Sequence, residues 1–194
     1  MKMVYLVGPP ATGKSTVMAL VRDQLGLVTG DWFRLWPDQH GEFRGQPLED
    51  VISGEVRGLS LGIVREGGYS GTDAIGMASH SEALRWAEQA DMPALVLGEG
   101  RRLGTIRFIT AMARRGSVTL GYLWAPQDVL DQRCAARGSN QNMGFRLGSA
   151  TQAQNTVNAA RSLGAQVLSF DTSLVSAEEC ARDLARVAQG SARG

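Results

Sequence analysis

Short apolar runs alternate along the chain with longer stretches in which apolar residues recur every three or four positions, the pattern of a parallel sheet covered by helices. The runs Met3 to Val7, Leu27 to Thr29, Ala94 to Leu97, Val118 to Trp124 and Gln166 to Phe170 predict five strands. Amphipathic spacing predicts helices over Lys14 to Leu25, Leu48 to Arg65, Ser81 to Ala90, Arg101 to Arg115, Pro126 to Arg137, Thr151 to Leu163 and Ala177 to Gln189. End signals agree with several of these. Gly26 and Gly116 stand just past helix ends, Pro126 suits a first helical position, and Ser176 with Glu179 reads as a capping box. Two segments break the alternation, Asp31 to Pro47 and Gly138 to Gly148, and such loops on an α/β frame usually carry function. The expectation is one domain over residues 1–190 and a flexible tail over 191–194.

Composition narrows the classes. The 194 residues carry 20 Lys+Arg against 19 Asp+Glu, a net of +1, so whole-molecule charge favours neither a polyanion nor an acidic partner. Lys2 and Lys14 are the only lysines; every other cation is an arginine. Cys134 and Cys180 are too few for a disulfide scaffold, and with His40 and His80 they show no metal-ligand spacing. The longest apolar runs fall far short of the ~20 residues that span a bilayer, and no signal-peptide pattern opens the chain. A soluble, cytoplasmic protein with no membrane partner is expected.

The strongest chemical signal is Gly8-Pro9-Pro10-Ala11-Thr12-Gly13-Lys14-Ser15, which matches G-x-x-x-x-G-K-[ST] at every fixed position. It follows an apolar run and opens an amphipathic helix, where inward amides and a helix start both favour phosphate. In this reading Lys14 reaches the β- and γ-phosphates, the Ser15 hydroxyl binds Mg²⁺ and Thr16 supports the α-phosphate. A loop that merely caps a helix would leave unexplained why one of two lysines stands where the motif needs it. No N-K-x-D base-reading motif is present, which excludes the usual GTPase pattern. The apolar run Ala94 to Leu97 leads into Gly98-Glu99, so Glu99 is placed beside the phosphate loop to hold Mg²⁺; a solvated loop glutamate is the alternative.

Asp31 follows the second predicted strand, so it is expected at the sheet edge that holds the phosphates, with Arg34 near it. A phosphate loop followed there by D-x-x-R resembles the polynucleotide 5′-hydroxyl kinases and their adenylate-kinase-like relatives. The resemblance implies Asp31 as general base and Arg34 as acceptor clamp; an N-capping Asp with a surface Arg is the plain alternative. Arg133 and Arg137 lie four apart on one predicted helix and Arg146 follows in the next loop. That arrangement resembles the mobile lid of the same enzymes, at about residues 133–148. It implies that Arg133 neutralises the transferring phosphoryl group, with Arg137 on the nucleotide and Arg146 toward the acceptor. The alternative pairs Arg133 with Asp128 or Asp131 on a solvated helix.

The acceptor is read from weaker features. Trp32, Phe33, Arg34, Trp36, His40, Phe43 and Arg44 interleave aromatics with cations, which suits either base stacking or burial of a helix against the sheet. The loop Gly67 to Asp73 either brings Thr72 and Asp73 to an acceptor pocket or is a plain turn. With the stretch Gly98 to Leu103 it also resembles phage enzymes that phosphorylate 5-hydroxymethyluracil in DNA, acting in the host cytoplasm. Together the resemblances imply an α/β, three-layer P-loop nucleotide-kinase fold, with a five-stranded parallel sheet in the order 2-3-1-4-5 and a small lid. They further imply ATP and Mg²⁺ as cofactors and a nucleic-acid hydroxyl as acceptor, either 5-hydroxymethyluracil in DNA or a polynucleotide 5′-OH. A kinase of a small metabolite or nucleotide, of the gluconate, shikimate or nucleoside monophosphate kind, and a non-catalytic ATP-binding switch stand as alternatives.

Overall fold

The structure is a computed structural model and describes residues 1–36, 42–65, 69–139 and 141–190. His40, Gly67, Gly68 and the tail 191–194, which figure in the sequence reading, lie outside the described residues. One sheet carries the molecule. Strand β1 (Lys2–Val7) runs through its middle, and both faces of that strand are buried: Met3, Tyr5 and Val7 on one side, Val4 and Leu6 on the other. The sheet continues through β2 (Leu27–Thr29), β3 (Phe33–Arg34), β4 (Arg44–Asp50), β5 (Val56–Leu61), β6 (Leu95–Glu99), β7 (Ser117–Trp124) and β8 (Gln166–Asp171). Its order is β2-β4-β5-β6-β1-β7-β8, with β3 paired to β4.

Among the described residues six α-helices cover it: α1 (Lys14–Gln24), α2 (Ser79–Gln89), α3 (Ile106–Ala113), α4 (Gln127–Ala136), α5 (Met143–Ser162) and α6 (Ala177–Gln189). On one face α1 and α6 bury Val17, Met18, Val21, Leu184 and Ala185 against Val4, Leu6, Leu97 and Leu123. On the other, α2, α3 and α5 bury Trp86, Phe108, Met112 and Val157 against Met3, Tyr5, Leu61 and Val96. The result is three layers. Helix α6 starts with the capping box expected at Ser176 and Glu179. No helix among the described residues is long and apolar enough to cross a membrane.

Several expectations need correction. The sheet has eight strands, with mixed direction and another order, in place of five parallel ones. The segment Leu48 to Arg65 is the return of a hairpin, with β4 antiparallel to both β5 and β2. Asp50 Oδ1 accepts from the amides of Ile52 and Ser53, and the Gly54 amide donates to the Asp50 carbonyl, which closes a turn where a helix would have continued. Beyond it, Leu59 and Leu61 alternate with Gly58 and Ser60, and this period of two outweighs the apparent helical spacing. The hairpin separates β2 from β6 and moves it to the sheet margin. The remaining differences are local. Helix α3 starts at Ile106 because Arg101 to Gly104 form a turn tied to Asp73, and the helix expected from Thr151 starts at Met143, capped by the Asn142 side chain on the Phe145 amide at 2.8 Å.

Candidate active site

The phosphate loop connects β1 to α1, and Gly13, at φ 84°, makes the left-handed step that admits the helix start. Ala11 also takes a positive φ, 65°, a conformation that costs a side-chain-bearing residue energy and clusters at functional loops. The loop is braced from within. Thr12 is buried and its Oγ1 donates to the Pro9 carbonyl at 2.9 Å. Lys14 Nζ donates to the carbonyls of Gly8 at 3.0 Å and Pro9 at 2.9 Å. Ser15 Oγ donates to Glu99 Oε1 at 2.9 Å, across the junction of β1 and β6, which are neighbouring parallel strands.

Glu99 is 4% exposed. Burial pushes its carboxyl up to about 6, against the opposing pull of Lys14 and the Ser15 hydrogen bond. Burial likewise lowers the Lys14 ammonium, while Glu99 and Asp73 pull it back up. Gly71 permits this packing: its φ is 60°, and a side chain there would run into the Glu99 carboxylate. Ser15 and Glu99 together offer oxygen donors only, the set a hard cation such as Mg²⁺ prefers. Among the described residues no group of three or more His, Cys, Asp or Glu side chains forms a self-contained metal cluster.

A cavity of about 680 Å³ opens above the loop. One wall is the loop itself from Gly8 to Thr16, with Pro10, Ala11, Gly13, Lys14 and Ser15 on its surface. Asp73, Arg101 and Arg102 form another part of the cavity wall, and Arg137 and Phe145 line it as well. Arg101 is fixed there: its Nε donates to Gln152 Oε1 at 2.8 Å and its guanidinium lies 4.8 Å over the Phe145 ring. Gln152 Nε2 in turn donates to the carbonyls of Arg101 and Gly104. His80 contributes through a 2.9 Å hydrogen bond with Thr105 Oγ1.

The expected site residues therefore divide. The loop, Glu99, Asp73 and Arg137 come together around one cavity. Asp31, Trp32 and Arg34 do not line it: they follow β2, four strands from β1, roughly 19 Å at about 4.8 Å per strand. Trp32 is exposed there with the Arg44 guanidinium 4.3 Å above its ring. Thr72 does not line the cavity either: it is fully buried, its hydroxyl donates to the Glu99 carbonyl at 2.9 Å and it shares a 2.8 Å hydrogen bond with the Tyr5 hydroxyl.

Arg133 braces the fold behind the loop, donating to the Thr172 hydroxyl at 2.9 Å, the Thr172 carbonyl at 2.7 Å and the Ala11 carbonyl at 3.5 Å. Arg146 is bound to Asp131, tying the start of α5 to α4. Arg101 and Phe145 lie in stretches the sequence marks, whereas His80, Thr105 and Gln152, which line the cavity with them, carry no motif. One signal for Gln152 was available: Phe145, Ser149 and Gln152 recur at helical spacing on what proved to be one face of α5.

Comparison with known proteins agrees with this architecture. The sequence model of the family described as P-loop Nucleotide Kinase3 matches residues 1–179. None of the curated proteins compared with the chain matches it. Among solved structures, the YorR protein of Bacillus subtilis in complex with phosphorylated GDP is similar at a TM-score of 0.52 and 14% identity, covering 96% of this chain and 95% of that one. Shikimate kinase from Acinetobacter baumannii in complex with shikimate is similar at a TM-score of 0.50 and 16% identity, covering 97% of this chain and 93% of that one. At these identities the likeness is one of fold.

Proposed function

We propose, from the premise that the chain belongs to the P-loop Nucleotide Kinase3 family, that it transfers the γ-phosphoryl group of ATP to a hydroxyl on an acceptor held in the 680 Å³ cavity. The observation that carries the reading is the convergence of Lys14, Ser15 and Glu99 at the end of two adjacent parallel strands, the place where open α/β sheets bind ligands. Lys14 changes partners from the Gly8 and Pro9 carbonyls to the β- and γ-phosphates. Ser15 and Glu99 are the residues that would hold Mg²⁺, which when bound neutralises charge on the phosphates. Arg137, which lines the same cavity, steadies the phosphoryl group in this reading, and Arg133 keeps the loop and the β8–α6 turn in register. Because the chain supplies positioning and fixed charge, the reaction needs no covalent intermediate with the protein.

The acceptor we favour is a nucleic-acid hydroxyl, 5-hydroxymethyluracil in DNA or a polynucleotide 5′ end. Tyr69 and Phe145 line the cavity beside Arg101 and Arg102, a mixture that stacks on a base and follows a phosphate backbone. A small-molecule acceptor is the second reading, favoured by the volume of the cavity, which falls in the ordinary range for small-ligand sites, and by the shikimate bound to the similar kinase. The test is incubation with γ-labelled ATP and Mg²⁺ against a 5′-hydroxyl oligonucleotide, DNA containing 5-hydroxymethyluracil, nucleoside monophosphates, gluconate and shikimate. Label on either DNA supports the first reading, and label only on a small molecule replaces it with the second. Nucleotide binding with no transfer to any acceptor leaves a nucleotide-dependent switch.

A further inference from the structure

Asp73 and Arg102 form part of the wall of the cavity that the phosphate loop also lines. Asp73 is held unusually firmly. It sits in the 3₁₀ turn Thr72–Ala74, and its Oδ1 accepts two backbone amides, Arg101 at 2.8 Å and Arg102 at 3.0 Å. Gly100 lets the two segments meet, since a side chain there would press on the Asp73 carboxyl carbon and the Thr72 hydroxyl. With Oδ1 committed to the amides, the second oxygen makes no hydrogen bond to a described residue, and the carboxylate is close enough to Lys14 and Glu99 for its charge to act on both. Arg102 is half-buried on the same wall, and its guanidinium makes no hydrogen bond or ion pair with a described residue. A guanidinium open to the cavity offers a planar, permanently charged fork to a phosphate or carboxylate.

We infer that this wall is the acceptor subsite: the free oxygen of Asp73 receives the proton of the attacking hydroxyl, and Arg102 binds an anionic group, phosphate or carboxylate, elsewhere on the same acceptor. The inference rests on the kinase reading and deepens it, giving the acceptor class as a hydroxyl compound that also carries an anion. In the step itself the acceptor oxygen forms the new bond to the γ-phosphorus and the bond from that phosphorus to the β–γ bridging oxygen breaks. ADP departs with that electron pair, and the acceptor proton passes to Asp73 and then to solvent. Asp31 has no part in it, being four strands away from β1.

The test uses the full chain with γ-labelled ATP and the five acceptors named above, measuring kcat and KM for each that is phosphorylated. Asp73→Asn keeps an oxygen for the two amides, so it is expected to melt within a few degrees of the unaltered protein while kcat falls ~10²- to 10⁴-fold. Arg102→Gln leaves the Asp73 cradle intact and is expected to raise the acceptor KM at least about tenfold, with a much smaller change in the KM for ATP. Neutral acceptors lacking an anion, such as unphosphorylated nucleosides, should be phosphorylated poorly by the unaltered protein and no worse by Arg102→Gln. Transfer that survives Asp73→Asn within threefold, or is lost in Asp31→Asn instead, overturns the inference and leaves the kinase reading standing. An unchanged acceptor KM in Arg102→Gln overturns the anion contact. Failure of the unaltered protein to label any acceptor overturns the kinase reading and the subsite with it.

Discussion

The junction of β1 and β6 and the margin formed by β2 and the β4–β5 hairpin belong to one sheet but are built on opposite terms. At the junction, side chains answer one another: Ser15 holds Glu99, Lys14 and Thr12 hold loop carbonyls, and Gly71 leaves room for the Glu99 carboxylate. At the margin, Ile52 stands 98% exposed at the hairpin tip, Val51 and Val56 are exposed near it, and the turn depends on two amide bonds to Asp50. One end has almost no freedom in which residues it can hold, and the other has a great deal. A strand's end tells how far along the sheet axis a residue lies. Its distance across the sheet depends on what is inserted beside it, and a hairpin at the permissive margin carried Asp31 away from the constrained junction.

The largest test of that contrast is Lys14→Ala, for which transfer is expected to fall more than about a hundredfold in the labelled-ATP assay. An unchanged rate would break the comparison at its constrained end. Next comes Gly71→Ala, which forces a side chain into a backbone conformation it rarely takes and against Glu99; a loss of roughly 1–3 kcal/mol is expected in urea unfolding. The Glu99 carboxyl gives a pH test. Its value in the folded protein, about 6, lies above its ordinary value of 4.5, so the folded state binds the proton more tightly than the unfolded chain does. That contribution is complete below pH 4.5 and is lost as pH rises to about 6, at a cost on the order of 2 kcal/mol. Glu99→Gln should flatten this part of the stability profile when Mg²⁺ and nucleotide are left out. Smallest is Ile52→Ser at the hairpin tip, expected to shift stability by no more than about 0.5 kcal/mol. A larger effect there would show the margin to be less permissive than its exposure implies.

The same contrast explains what was legible in the sequence. Five of the strands could be read because each carries a short apolar run, buried along β1, β6 and β7 and only part-buried in β2 and β8, and the phosphate loop because its chemistry fixes residue types at fixed spacing. Leu48 to Arg65 misled because its leucines and valines satisfy both periods loosely, and only the Asp50 turn chooses between them. Gly138 to Gly148 misled in the other direction: its glycines and polar residues resemble a loop, yet Asn142 starts a helix that brings Phe145 and Gln152 to the cavity. Arg133 is expected at the phosphate because its charge suits that place; in the structure its guanidinium is engaged by Thr172 and by the Ala11 carbonyl of the loop, partners that charge alone does not reveal. Asp73 was visible only as one member of a polar loop, because its partners are backbone amides more than two dozen residues later.

The reversed direction of β4 also bears on how the chain assembles. Antiparallel pairing joins close neighbours in sequence, Gln46 with Ser60 and Val28 with Glu49, so it closes short loops at little entropic cost. The parallel pairing that creates the phosphate site joins Lys2 to Leu95 and must wait for nearly half the chain to be gathered. The permissive margin is therefore the part that can organise early and locally, and the constrained junction, which carries the chemistry, is completed late.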